Sequence, residues 1–288
     1  MRKDFIWIIL FLIAGCTQNI NVQNVDLDFH QVKAEKPTVT HIALVAPDVL
    51  GITIKEGYLQ LREWKPYTKQ TGDSVAYTRI HHNLVKERIL YRNGEFVGHL
   101  GGKQENMLSI PEKILGDTLQ NKNKLDNAAS YSLVSENDAN FKSAQKPKAV
   151  YLKSKINTWS NPVKQLSFVH TIYLHFPEHL KENHSYKIDI SEFGCSTDMV
   201  EFTCSSQSTR SEAVHVSQVG FRPDDPVKKG YLSVWLGTGG AYSFKKVPEF
   251  EIINTETNEI VYSASAQKSL EKDGVEQIKE SKNYSKTE

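Results

Sequence analysis

Three cysteines, ten histidines and a few paired carboxylates carry the chain's capacity for metal, redox or acid–base chemistry. Cys195 and Cys204 stand nine positions apart. In an oxidising compartment two spare cysteines at that spacing are expected to form a disulfide across a small loop; the alternative is two unrelated cysteines, one of them buried. Neither belongs to a CxxC or has a near histidine, so no metal site is expected there. His81 and His82 are adjacent, and adjacent residues of a strand point to opposite faces, so they do not converge on a metal. His170 shares a strand face with Ile172 and Leu174 while His175 lies on the other face. With His179 beyond them, these read as surface or satisfied histidines. Asp224 and Asp225 sit between prolines and read as turn formers, with a calcium-binding loop as the alternative. Gly237, Gly239 and Gly240 are not followed by a helical pattern, so a phosphate cradle lacks its context. Trp64, Trp159 and Trp235 are candidate sugar-stacking rings. Trp235, in an apolar strand, is expected in the core. Trp159, between polar neighbours, is expected exposed and is the candidate sugar contact. No catalytic pair, metal or cofactor emerges.

These residues need a scaffold of short strands. Apolar runs over residues 40–46 and 50–54 flank Pro47-Asp48. Residues 88–92 and 95–99 flank Asn93-Gly94, a two-residue hairpin signal. Further strands are expected over residues 150–156, 168–176 and 186–190, then over 214–219, 230–236, 250–253 and 259–264, with a turn at 254–258. Many short strands at this spacing predict an all-β protein of two consecutive β-sandwich domains. Residues 101–129 fit worst: 110–119 are expected to form a short helix, and 120–127 a solvated loop.

Composition narrows the partners. The chain has 288 residues, and without its first fifteen the basic and acidic residues are equal in number. A neutral surface gives no electrostatic reason to expect nucleic acid. The N-terminus combines Arg2 and Lys3 with an apolar run over residues 5–13, too short to span a bilayer comfortably. Small residues follow, the order of a secretory signal. The string Ile13-Ala14-Gly15-Cys16 resembles the lipobox of bacterial lipoproteins. The resemblance implies that Cys16 is lipidated, becomes the mature N-terminus and holds the protein to a membrane of the cell envelope. Thr17, rather than Asp, implies the outer membrane if the source is Gram-negative. Residues 17–37 are polar and aperiodic and read as a tether.

From residue 211 one string stands out. Val214 and Val216 run into Ser217-Gln218-Val219-Gly220-Phe221-Arg222-Pro223. Gly220 permits a backbone conformation or close approach that a side chain would block, and Pro223 and Pro226 stop a sheet ladder. The string resembles the "NQVGY-x-P" opening of the immunoglobulin-like domain that precedes the catalytic module in family 9 glycoside hydrolases, with Ser217 for Asn and Phe221 for Tyr. Residues 250–262 match that family's next hairpin. In the family, more strands and a helical barrel follow, the barrel carrying two aspartates that activate water and a glutamic acid. No helical pattern precedes Glu288, so the resemblance places no catalytic residue in this sequence.

The expected organisation is therefore a lipoprotein signal over 1–16, a tether over 17–37, a β-sandwich over 38–210 and an incomplete immunoglobulin-like domain over 211–288. The expected function is the non-catalytic N-terminal part of a membrane-anchored glycoside hydrolase, holding a catalytic module that acts in polysaccharide breakdown. The alternative is a stand-alone surface lipoprotein that binds glycan or a partner protein.

Overall fold

The structure, a computed structural model, describes residues 35–80, 85–102, 104–160, 164–206, 208–244 and 248–268. It is all-β. Strands β1 (Thr38–Ala46) and β2 (Val49–Lys55) form the hairpin foreseen around Pro47-Asp48. The chain then leaves through β3 (Tyr58–Gln60) into an insertion: β4 (Glu63–Pro66), β5 (Asp73–Ile80), β6 (Val85–Arg92), β7 (Glu95–Gly101) and β8 (Met107–Ile110). These five make their own sheet in the order β4-β8-β7-β6-β5. Leu90, Leu100 and Leu108 give it a separate small core with Tyr67 and Val75. Asn93 at φ 52° and Gly94 at φ 85° join β6 to β7, the left-handed pair a tight hairpin needs. β9 (Lys113–Leu115) returns to pair with β3 and closes the neck of the insertion.

This corrects the expectation of a helix over residues 110–119. Pro111 cannot donate to a ladder, and Gly116 at φ 92° leaves the helical region altogether. The residues after it hold a 3-10 turn at Lys122–Lys124 and bury Leu119 and Leu125, so the stretch is packed and not simply solvated.

The chain re-enters the sandwich with β10 (Ser132–Val134), β11 (Ala149–Ser160), β12 (Gln165–His175), β13 (Ser185–Asp189) and β14 (Met199–Thr203). One sheet is β1-β2-β12-β11 and the facing one β10-β13-β14. Ile52, Ile54, Ile172 and Leu174 pack between them with Leu133, Tyr186, Ile188, Val200 and Phe202. Tyr131, Phe141, Phe176 and Phe193 fill in from the connections. Each such side chain, fully withdrawn from water, contributes about 1.5–3 kcal/mol, an upper figure because the unfolded chain already hides part of it.

Cys195 and Cys204 are buried free thiols, which corrects the disulfide expectation. Cys195 lies in the connection before β14. Cys204 follows the strand's far end, where its N–H donates to His184 O at 2.9 Å. The five-residue strand β14, itself roughly 15 Å long, lies between them, and a disulfide tolerates a Cα spacing of at most about 7 Å. Burial, the largest cause, pushes the Cys195 thiol up to about 12 and the Cys204 thiol up to about 11.

Residues 211–268 supply β15 (Val214–His215), β16 (Tyr231–Leu232), β17 (Glu249–Ile253) and β18 (Ile260–Ser265), paired as two separate ribbons. The first part of this segment lies against the outer face of the four-stranded sheet. Leu44 N–H donates to Arg210 O at 2.9 Å. Val234, Leu236 and Tyr242 pack on Val45, Val49 and Tyr173. That cover explains why every residue of β2 is buried: both faces of the strand meet protein. Trp235, expected in the core, is exposed, because its neighbours Val234 and Leu236 take the inward positions. Among the described residues no helix is long and apolar enough to cross a membrane.

Candidate functional site

Most of the polar side chains buried among the described residues gather on and beside the four-stranded sheet. Glu56 follows β2 directly and is 1% exposed. Its N–H donates to Phe168 O at 2.9 Å, which holds it beside β12. Its Oε1 accepts from Leu119 N–H at 2.7 Å and lies 2.8 Å from Lys122 Nζ. His170 Nε2 stands 3.5 Å from the same oxygen, an ion-pair distance without a hydrogen bond. Burial alone would raise the Glu56 carboxyl. The contacts from His170, Lys122 and the Leu119 amide outweigh it and hold the carboxyl below its usual range.

His170 is buried on β12, and its ring stacks beside Phe168 at 6.0 Å. Across the ladder Ser154 on β11 pairs directly with it, and Ser154 Oγ lies 2.7 Å from His170 Nδ1. With Nε2 facing the carboxylate, the consistent assignment puts the ring proton on Nε2, and the serine hydroxyl donates to Nδ1. Ser154 itself is exposed. The result is a line from solvent inward: hydroxyl, imidazole, carboxylate. Glu56 and Ser154 escaped the sequence analysis because their separation in the chain is long: Glu56 lies just past β2 and Ser154 on β11. His170 was examined only against its own strand neighbours.

The sheet's other face holds a second cluster. Glu212 accepts from Tyr173 O–H at 2.6 Å and stands 3.6 Å from both His41 Nε2 and Lys153 Nζ. Thr53 Oγ1 bridges His41 and Thr171. This cluster ties residue 212 to the strands beneath it. Further pairs fix connections: Asp48 with His175 at 2.9 Å, and Asp138 with Lys181 at 2.7 Å and Tyr186 at 2.8 Å.

The residues singled out in the sequence fall in separate places. Cys16, the lipidation candidate, lies outside the described residues, as do His81 and His82. Gln218, Val219, Gly220, Phe221 and Pro223 form an exposed connection between β15 and β16, with Val219 97% exposed. Gly220 has φ 74°, and a Cβ there would meet nothing within 4 Å, so the glycine serves backbone conformation and not close approach. Val216, Phe221, Val227, Tyr231, His215 and Lys229 line an open groove of about 380 Å³ beside it. Asp225 accepts from Arg222 N–H at 2.8 Å and Asp224 pairs with the Arg222 side chain, as turn formers do. Gly237–Gly239 is a 3-10 turn seated on β11. Trp159 is exposed at 62%, on the sandwich sheet, and Trp64 lies over Gly101 in the insertion, so the two rings belong to different sheets. Among the described residues no group of three or more His, Cys, Asp or Glu side chains is placed to hold a metal. Comparison with family models, curated proteins and solved structures finds no match for the chain, so the family 9 resemblance rests on the string around Gln218–Pro223 and the hairpin after it.

Proposed function

We propose that the chain is the non-catalytic N-terminal part of a lipid-anchored glycoside hydrolase of the cell envelope, tethered through Cys16 and holding a catalytic module for polysaccharide breakdown. One observation carries the reading beyond the motif. Residues 214–232 bring Val216, Phe221 and Tyr231 to the surface, and the chain on either side is held to the sandwich through Glu212 and Leu236. Large apolar surfaces on a fixed support are characteristic of faces that meet another protein part. Asp48, Glu56, Asp73, Asp138 and Glu212 are each held in ion pairs that fix the fold, as carboxylates in a supporting role are.

Reading the coding sequence past the codon for Glu288 tests this. An in-frame region of helical periodicity rich in Asp, Glu and aromatic residues supports it. A stop codon there overturns it in favour of a lipoprotein that binds glycan or a partner protein by itself. The anchor has its own test. Cys16→Ser is expected to yield an unlipidated precursor that no longer partitions into detergent, and a processed, detergent-partitioning mutant would refute the anchor.

A further inference from the structure

We propose that Ser154, His170 and Glu56 form an acyl-transfer site that cleaves esters of apolar carboxylic acids. The site stands apart from the supporting role above, in which non-catalytic refers to glycoside cleavage alone. An exposed serine hydroxyl donates to a buried imidazole at 2.7 Å. The far nitrogen of that imidazole is buried, makes no hydrogen bond and faces a buried carboxylate at 3.5 Å. A neutral imidazole gains little from such a neighbour. An imidazolium gains a charge partner in a place with little water. The arrangement therefore favours the state in which the serine proton has moved to His170, which is what an activated nucleophile requires. Lys122 and the Leu119 amide hold Glu56 ionised and fixed.

The sheet edge adds an oxyanion donor. Leu152 N–H donates sideways to Thr238 Oγ1 at 3.0 Å, away from β12. Backbone direction alternates along a strand, so the Ser154 N–H, two residues on, also points to the open edge of β11, next to its own Oγ. A substrate surface adjoins it. Ser154, Ile156 and Trp159 pair with His170, Phe168 and Leu166, which alternate on one face of β12. Ile156, Trp159 and Leu166 are 55%, 62% and 47% exposed. An apolar strip thus runs from the hydroxyl along the ribbon, fit for the hydrocarbon part of an acyl group.

In the reaction Ser154 Oγ adds to the ester carbonyl carbon as His170 Nδ1 takes its proton, and the carbonyl pair moves to oxygen beside the Ser154 N–H. Collapse expels the alkoxide, which takes the proton from His170 and leaves as alcohol. Water then adds to the acyl-serine by the same route, Nδ1 taking its proton and returning it to Ser154 Oγ. Ester and water become acid and alcohol. Ser154 and His170 are the catalytic residues and Glu56 positions the ring.

The test treats the purified full chain with diisopropyl fluorophosphate and follows hydrolysis of p-nitrophenyl butyrate. The expected result is phosphorylation of Ser154, located by peptide mass spectrometry, and ester turnover abolished by Ser154→Ala, an exposed change that leaves the melting temperature in place. His170→Asn should lower kcat by about 10²–10⁴, the usual share of a general base. Glu56→Gln should lower kcat while KM holds. No labelling of Ser154, or turnover equal in wild type and Ser154→Ala, overturns the proposal.

Discussion

Glu212 is the residue on which the attachment of the C-terminal segment turns. Burial would raise its carboxyl, but the hydrogen bonds and charges of His41, Tyr173 and Lys153 outweigh that and bring it from 4.5 to about 2. An acid whose folded pKa is depressed adds stability above its unfolded pKa and loses it as pH falls to the folded one. The contribution of Glu212 is thus full above pH 4.5 and fades as pH falls toward about 2, with a total on the order of 3 kcal/mol. Glu212→Gln is expected to be less stable than wild type at neutral pH, the gap closing near pH 2, as urea unfolding at both values measures. A gap independent of pH would mean that shape, and not charge, carries the effect. Such residues were not legible in the sequence. Glu212, His41, Lys153 and Tyr173 come from four distant positions, and only sheet register brings them together. The reading of Asp224 and Asp225 as turn formers succeeded because the signal is local.

Elements were legible where their signals are local. The hairpins around Pro47-Asp48 and Asn93-Gly94 and the turn at 254–258 carry their turn residues in the sequence, and β17 and β18 pair across that last turn. The helix over 110–119 failed because apolar spacing was weighed above Pro111 and Gly116. The disulfide failed because sequence spacing carries no information about which end of a strand each cysteine occupies. The turn at Gly237–Gly239 was read only as lacking a phosphate role, yet it covers the edge of β11 at Leu152 and Lys153. Gly237 sits at φ 64°, and a Cβ there would come 2.1 Å from Leu152 O. Gly237→Ala therefore cannot keep this seat. It is expected to destabilise the protein by about 1–3 kcal/mol, the usual cost of forcing a side chain into such a conformation, and to speed hydrogen exchange at residues 151–153 and 234–242. Unchanged exchange at those amides would show that the turn does not protect the edge.

The molecule as a whole divides less simply than its chain order implies. The sandwich takes its seven strands from both sides of an insertion that has a core of its own, and such an interruption leaves no mark in strand periodicity. The boundary near residue 211 does follow a change of sequence character, but residues 211–244 pack on the sandwich through Val234, Leu236 and Tyr242. Among the described residues the ribbon of β17 and β18 pairs only with itself, and it is exposed almost throughout. Two truncations weigh these facts against each other. Ending the chain at Arg210 uncovers Val45, Val49 and Tyr173 and removes the partner of His41 and Lys153. At about 2 kcal/mol for each large apolar side chain returned to water, the loss should lower the melting temperature by about 10 °C or more for a domain of this size. Ending it at Phe244 keeps that cover and, of the described residues, removes only 248–268 with their exposed ribbon, so the melting temperature should stay within about 2 °C of the full chain. Scanning calorimetry of both against the full chain decides. Equal melting of the Arg210 form and the full chain would place the physical boundary at 211. A large loss in the Phe244 form would mean that the ribbon packs in solution against a surface of the same molecule.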